Sequence, residues 1–203
     1  METVLASPTK GRPREFCADN ALAAALRVFW SKGFEGATLT DLTNAMGITR
    51  PSLYAAFGNK EALFRKALDL YQAEKLDYIG VSLEQPTARE VARHLLCGSM
   101  KNQTSSCEPK GCLGVITSVA CGAEAESIRQ DVLERGKVAR AALVERFERA
   151  KAEGDLPAAV DVEGLTSFLY AILQGMAVQA GAGATPAELE RLIDTSMAMW
   201  PSK

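Results

Sequence analysis

GFEGATLTDLTNAMGITRPSLYAAFGNKEALF, residues 33–64, sets four glycines around two short apolar stripes. Thr38 or Thr40 can cap a short helix carrying Leu42, Ala45 and Met46 inward, and Gly47 closes it. Thr49 caps a second helix. Pro51 is tolerated there because first-turn amides have no intrahelical acceptor. That helix packs Leu53 and Phe57 and stops at Gly58. Asn59 then caps a further helix, with Glu61 in its first turn favourable to the helix dipole, and Leu63, Phe64, Leu68 and Tyr71 as its buried stripe. The turn at Gly47-Ile48 is so short that the helices of 40–57 must cross steeply, with Ile48 and Leu53 filling the angle between them. This is helix-turn-helix geometry, whose second helix lies in the major groove of DNA. Periodicity by itself also admits an ordinary helical hairpin inside a core. In the DNA-reading case the outward residues are Thr49, Arg50, Ser52, Tyr54 and Ala55, with hydroxyls for phosphate or base edges and a guanidinium able to grip guanine twice.

Upstream, residues 1–14 combine Pro8, Gly11 and Pro13 with Lys10, Arg12 and Arg14, the composition of a flexible basic arm. From about Glu15 the spacing of Leu22, Leu26, Phe29 and Trp30 is helical, and Gly33 ends that helix. After Gly80 the pattern predicts helices at roughly 87–102, 111–122, 124–152, 161–180 and 186–199. Breaks fall at Pro86, Gln103–Lys110, Gly154 to Pro157, and Gly181 to Pro186. No segment alternates like a strand and no fixed-period repeat is visible. The fold class expected is all-α, with about nine helices: a basic arm (1–14), a three-helix helix-turn-helix domain (15–66) and a helical regulatory and dimerisation bundle (67–203).

The 203 residues are 47% hydrophobic, enough for a packed core. Net charge is −2, but residues 1–66 carry nine Lys or Arg against six Asp or Glu, whereas 67–203 carry fourteen against nineteen. A basic end on an acidic body suits a DNA-reading module attached to another domain. Nothing reads as a membrane span or a secretion signal, so a cytoplasmic location is expected. Five cysteines (Cys17, Cys97, Cys107, Cys112, Cys121), one histidine (His94) and no CxxC pair argue against a disulfide framework and against a zinc site. HExxH, GxSxG and P-loop patterns are absent, which argues against an enzyme; no cofactor or metal is implied. A helical interaction module that never touches DNA is the other rival, and the basic arm and hydroxyl-rich second helix speak against it.

The run from 33 to 64 resembles the DNA-binding signature of the tetracycline-repressor (TetR) family. The residues that carry the likeness are Gly36, Thr38, Ala45-Met46-Gly47-Ile48, Leu53-Tyr54-Ala55-Ala56-Phe57 and Lys60-Glu61-Ala62-Leu63; GRPREF (11–16) is similar to the basic arm of some members. The resemblance covers about residues 11–66. It implies that Tyr54 and Lys60 hold DNA phosphates, as does Thr38 or Thr40. Thr49, Arg50 and Ser52 are candidates for base or phosphate contact in the groove. Arg12 and Arg14 reach the backbone or minor groove, or remain a solvated tail. It also implies a repressor acting as a homodimer on a palindromic operator, since one such head reads only a few base pairs. The last two helices would then pair with their symmetry mates through Leu165, Leu169, Ile172 and Met176 on one stripe and Leu189, Leu192, Ile193 and Met197 on the other.

Family members enclose a small ligand whose binding shifts the two DNA-reading heads. Met100, Cys112, Ile116, Phe147, Phe168, Tyr170 and Gln174 are the pocket candidates here; most serve equally well as plain core. Cys107 and Cys112 flank a short loop containing Lys110, and Gly111-Cys112-Leu113 is similar to a helix start found in members that include electrophile or oxidant sensors. A thiol at a helix N-terminus beside a lysine favours thiolate, so chemistry at Cys112 is an alternative switch to a small molecule. A small buried apolar cysteine is the plainer role for the same residue.

Overall fold

The computed structural model describes residues 17–120, 122 and 125–201. Among these residues the chain is helical throughout: α1 (Ala18–Gly36), α2 (Leu39–Met46), α3 (Arg50–Phe57), α4 (Lys60–Lys75), α5 (Asp77–Leu83), α6 (Ala88–Gln103), α7 (Leu113–Ala120), α8 (Glu126–Ala152), α9 (Val162–Gly181) and α10 (Pro186–Ala198). No described helix is long and apolar enough to cross a membrane. The basic arm, with Arg12 and Arg14, lies outside the described residues.

One core gathers α1–α4. Phe29 and Trp30 are fully buried from α1, meeting Phe64 edge-on at 5.0 Å and Tyr71 at 4.8 Å between ring centroids. Leu42, Leu53 and Leu63 close it from α2, α3 and α4, all at 0% exposure. The same cluster takes in Leu113 of α7 and Ile128 and Val132 of α8, and α4 runs unbroken past residue 66. Gly33 does interrupt α1, at φ 71° and ψ 176°, and helical turns resume only briefly beyond it. Ile116 of α7 packs at that kink, its Cγ2 3.5 Å from where a Cβ would stand.

A second core joins α6, α8, α9 and α10, with Phe147 stacked edge-on to Trp200 at 5.6 Å. Arg146 is buried here and donates to the carbonyl oxygens of Leu83, Gln85 and Pro86 at 3.1, 2.7 and 3.1 Å. It thereby places a cation on the carbonyl end of α5, where the helix dipole favours one.

Two local expectations are corrected. Ala45 is exposed and Thr43 is buried in its place. Thr43 can face inward because its hydroxyl donates to the Leu39 carbonyl at 2.9 Å, which removes the cost of burying it. Gly80 does not end a helix but lies inside α5, which the sequence pattern did not separate from its neighbours. The break comes at Leu76 (φ −115°, ψ 10°), whose N–H still donates to Gln72 O. The turn swings α5 onto α6, where Gly98 leaves room for the Tyr78 ring; a Cβ at Gly98 would overlap it.

Five of the proposed dimer residues are corrected as well. Leu169, Met176, Leu189, Ile193 and Met197 are all within 2% of full burial inside one chain. They fill the α6–α9–α10 core and have no surface left for a partner. Leu165, Ile172 and Leu192 are half-buried at its edge. The outward faces carry Phe168 (39% exposed), Val178 (62%) and Met199 (63%).

Candidate DNA interface and effector cavity

Each helix of the 38–60 segment begins on a side-chain cap. Thr38 and Asp41 form a reciprocal capping box on α2: Asp41 N–H donates to Thr38 Oγ1 at 3.0 Å, and Thr38 N–H donates to Asp41 Oδ2 at 3.1 Å. Thr49 Oγ1 accepts from Ser52 N–H at 3.3 Å on α3, and Asn59 Oδ1 accepts from Ala62 N–H at 2.8 Å on α4. Gly47 supplies the left-handed residue of the turn, at φ 66°, ψ 29°.

The candidate contact residues of these helices are open to solvent in varying degree. Thr38, Thr40, Thr49, Arg50 and Tyr54 are exposed, and Ser52 and Lys60 are half-exposed. Tyr54 leaves 49% of its surface open, much for so large a ring. Arg50 Nη2 donates to Thr40 Oγ1 at 3.0 Å, tying the start of α3 to α2. Thr49 and Ser52 hydroxyls lie 2.9 Å apart. Lys60 Nζ donates to Glu35 O at 3.5 Å and stands 4.6 Å above the Phe34 ring.

Sequence reasoning missed Asp41 and Lys32. Their ion pair is 2.7 Å long, and the Lys32 hydrogen bond, then those from Thr38, hold the Asp41 carboxyl at about 2. The T-x-x-D spacing was the available signal for Asp41; nothing in the sequence pointed to Lys32.

Behind the head lies a cavity of about 620 Å³ among α4–α9. Leu68, Tyr71, Tyr78, Cys112, Leu143 and Gln174 are among its lining residues, and the exposed Gly80, Gly136 and Lys137 place its mouth between α5 and α8. Of the seven pocket candidates, Cys112, Tyr170 and Gln174 line it. The other four do not. Phe147 is committed to Trp200, and Ile116 packs on the α1–α4 core. Met100 packs against the α6–α10 core, and Phe168 points to the outside. Residues that sequence reasoning missed, such as Tyr71, Tyr78 and Gln103, come from helices whose faces periodicity does not assign to a void.

Burial pushes the Tyr71, Tyr78 and Tyr170 phenols up from their ordinary pKa, so all three enter the cavity wall as neutral O–H groups. Tyr71 donates to Cys112 Sγ at 3.5 Å. Cys112 sits just ahead of α7, and its carbonyl accepts from Ile116 N–H. The ammonium of Lys110 is engaged by Thr104 O at 2.9 Å, and Cys107 is exposed.

The helix-turn-helix on a helical body defines a class of DNA-binding regulators, and the family comparisons agree. Residues 21–67 match the model described as "Bacterial regulatory proteins, tetR family", and residues 92–196 match "Tetracyclin repressor-like, C-terminal domain". The chain belongs to the TetR family of transcriptional regulators. It is 30% identical to the transcriptional repressor ComR of Escherichia coli strain K12 over 195 residues, 95% of this chain and 93% of that one. A cysteine-substituted form of the TetR-family regulator CifR, solved on a 26-base-pair operator duplex, superposes with a TM-score of 0.88 at 39% identity, covering 94% of this chain and 100% of that one. A TetR-type protein from Rhodococcus sp. RHA1 has a TM-score of 0.60 at 35% identity, over 90% and 98%. These relatives are regulators, not enzymes.

Proposed function

We propose that this protein is a transcriptional repressor that binds a palindromic operator as a homodimer through α3 and lets go when a small molecule occupies the cavity. The carrying observation is the exposed row of Thr49, Arg50 and Tyr54 on a rigidly capped α3, in a chain 39% identical to a regulator solved on its operator. Thr49, Arg50 and Ser52 face the groove; Tyr54 and Lys60, with Thr38 or Thr40, hold phosphates on its rims. Arg12 and Arg14 extend the contact along the duplex. The homodimer is supported by the large apolar side chains left outside on α9 and just past α10, Phe168, Val178 and Met199, which a second copy would cover. A cytoplasmic location follows from a DNA target.

A gel shift with the duplex upstream of its own gene, run at two salt concentrations, tests this reading. Retention that weakens steeply with salt is the expected result; no retention on any neighbouring promoter overturns it. Tyr54→Phe should weaken binding to all sequences alike, since a phosphate contact carries no base information.

A second reading of the release step has its own observation: Cys112 lines the cavity wall, so an electrophile entering by the mouth meets a thiol. Modification of Cys112 by a small alkylating agent should then lower operator affinity, and Cys112→Ser should abolish that response. Cys107 is exposed and would react whether or not the cavity is occupied.

A further inference from the structure

Among the described residues that line the cavity, one side chain carries a fully buried polar atom with no hydrogen-bond partner. Gln103, 4% exposed, donates its Nε2–H to Ser99 Oγ at 2.7 Å, while its Oε1 is buried with no hydrogen-bond partner among the described residues. Ser99, 1% exposed, takes that bond on its hydroxyl, so in this arrangement the amide carbonyl is the group left over. Both residues line the cavity. The oxygen itself has no free surface on the void, so a donor reaches it only as the amide turns toward the cavity, and a molecule that supplies one recovers the cost of a buried carbonyl without a partner.

The rest of the wall limits the chemistry of that molecule. Leu68, Leu76, Ile79, Leu95, Leu143 and Leu173 make it mainly apolar, and no Asp or Glu is among the described lining residues. An ammonium group would find no counter-ion there. The three lining cations are already matched: Arg135 to Asp69 at 2.6 Å, Lys137 to Glu134 at 2.9 Å and Arg140 to Glu163 at 2.8 Å. An anion would have to compete with these pairs. Tyr71, 1% exposed, spends its O–H on a thiol, a weak acceptor, so the wall offers a donor as well as an acceptor. A hydroxyl gives and takes a hydrogen bond without carrying charge.

We propose that the cavity takes an uncharged, largely apolar molecule bearing a hydroxyl group, whose O–H is donated to Gln103 Oε1. This rests on the reading of the cavity as the effector site, and the test separates the two. Calorimetric titration of the full chain would compare para-hexylphenol, its methyl ether and para-hexylbenzoate. The phenol should bind at least about tenfold more tightly than the other two, the loss expected when a buried acceptor goes unpaired. Gln103→Met keeps the side-chain volume and removes the acceptor; it should bring the phenol down to the ether's affinity and leave the ether unchanged. Equal binding of phenol and ether to the unaltered protein overturns the hydroxyl preference and leaves the effector site standing. Tighter binding of the benzoate overturns it in favour of an anion. Failure of all three at millimolar concentration overturns both. Should Gln103→Met not fold, the comparison of phenol with ether on the unaltered protein decides.

Discussion

At Asp41 a single carboxylate couples the stability of the DNA-reading head to pH. It closes the capping box of α2 and pairs with Lys32 of α1, and these partners lower its pKa from 3.8 to about 2. Because the folded pKa is the depressed one, the stabilisation is present above 3.8 and is lost as pH falls from there through about 2. Asp41→Asn should therefore flatten the acid limb of a stability profile, measured by denaturant unfolding between about pH 5 and 2, and leave the region above it parallel to the parent. A profile with an undiminished acid slope would mean that other carboxylates carry it. The caps and exposed positions of the head were legible at this scale because capping residues, turn glycine and outward hydroxyls occupy fixed offsets along 38–60. Lys32 was not, since its partner is set by the crossing of α1 over α2, a tertiary fact with no local signature.

Among the helices, the piece hidden from the sequence was α5. Its start is a change of backbone angle at Leu76, with neither glycine nor proline to mark it, and Gly80 sits mid-helix, where it suggests a break. What holds α5 in place is tertiary: the Tyr78 ring in the space over Gly98, and Arg146 on its last carbonyls. The same reasoning explains the cavity. Helical periodicity says that a face is buried, but burial against a neighbour and burial against a void look alike in sequence, so Phe147 stood among the candidates beside Tyr170, which only its polar tip set apart from plain core. Gly98→Ala forces the Tyr78 ring to move and should cost about 1–3 kcal/mol, with an altered cavity wall read as loss of ligand affinity beyond the shift in melting temperature. Arg146→Met removes a buried cation and the donor of three partly buried carbonyls, and should cost about 3 kcal/mol. Arg146 does not itself line the cavity, but Leu83, whose carbonyl it holds, does, so ligand affinity should fall along with stability at temperatures where both proteins are folded.

For the molecule as a whole, the proposed function raises the question of how an event in the cavity would reach α3 in two chains at once. The head is fastened to the regulatory helices at a few named places. Trp30 Nε1 donates to Gly111 O at 3.1 Å, and Arg65 pairs with Asp131 at 2.6 Å. Glu35 accepts from Gly122 N–H at 3.0 Å, and Glu108 bridges Arg27 and Lys75 at 3.3 and 3.1 Å. Gly111 directly precedes Cys112, so the wall of the cavity and the indole anchor of α1 are consecutive residues. A shift of the α7 start would be passed to the head through packed side chains. That transmission matters for DNA only if the spacing of two heads is fixed, which is why the outer face of α9 and α10 is the decisive surface. Sequence periodicity chose the buried stripe there because apolar spacing cannot separate intrachain from interchain packing. The structure leaves Phe168 and Val178 of α9 and Met199 beyond α10 exposed instead. Val178→Glu puts a charge on that face and touches nothing in either core. In sedimentation it should run as a monomer with unchanged helicity, and its operator affinity should fall by at least about a hundredfold, because a lone head loses the second half-site. A Val178→Glu protein that sedimented as a dimer and held the operator normally would place the symmetry axis on another face of the molecule.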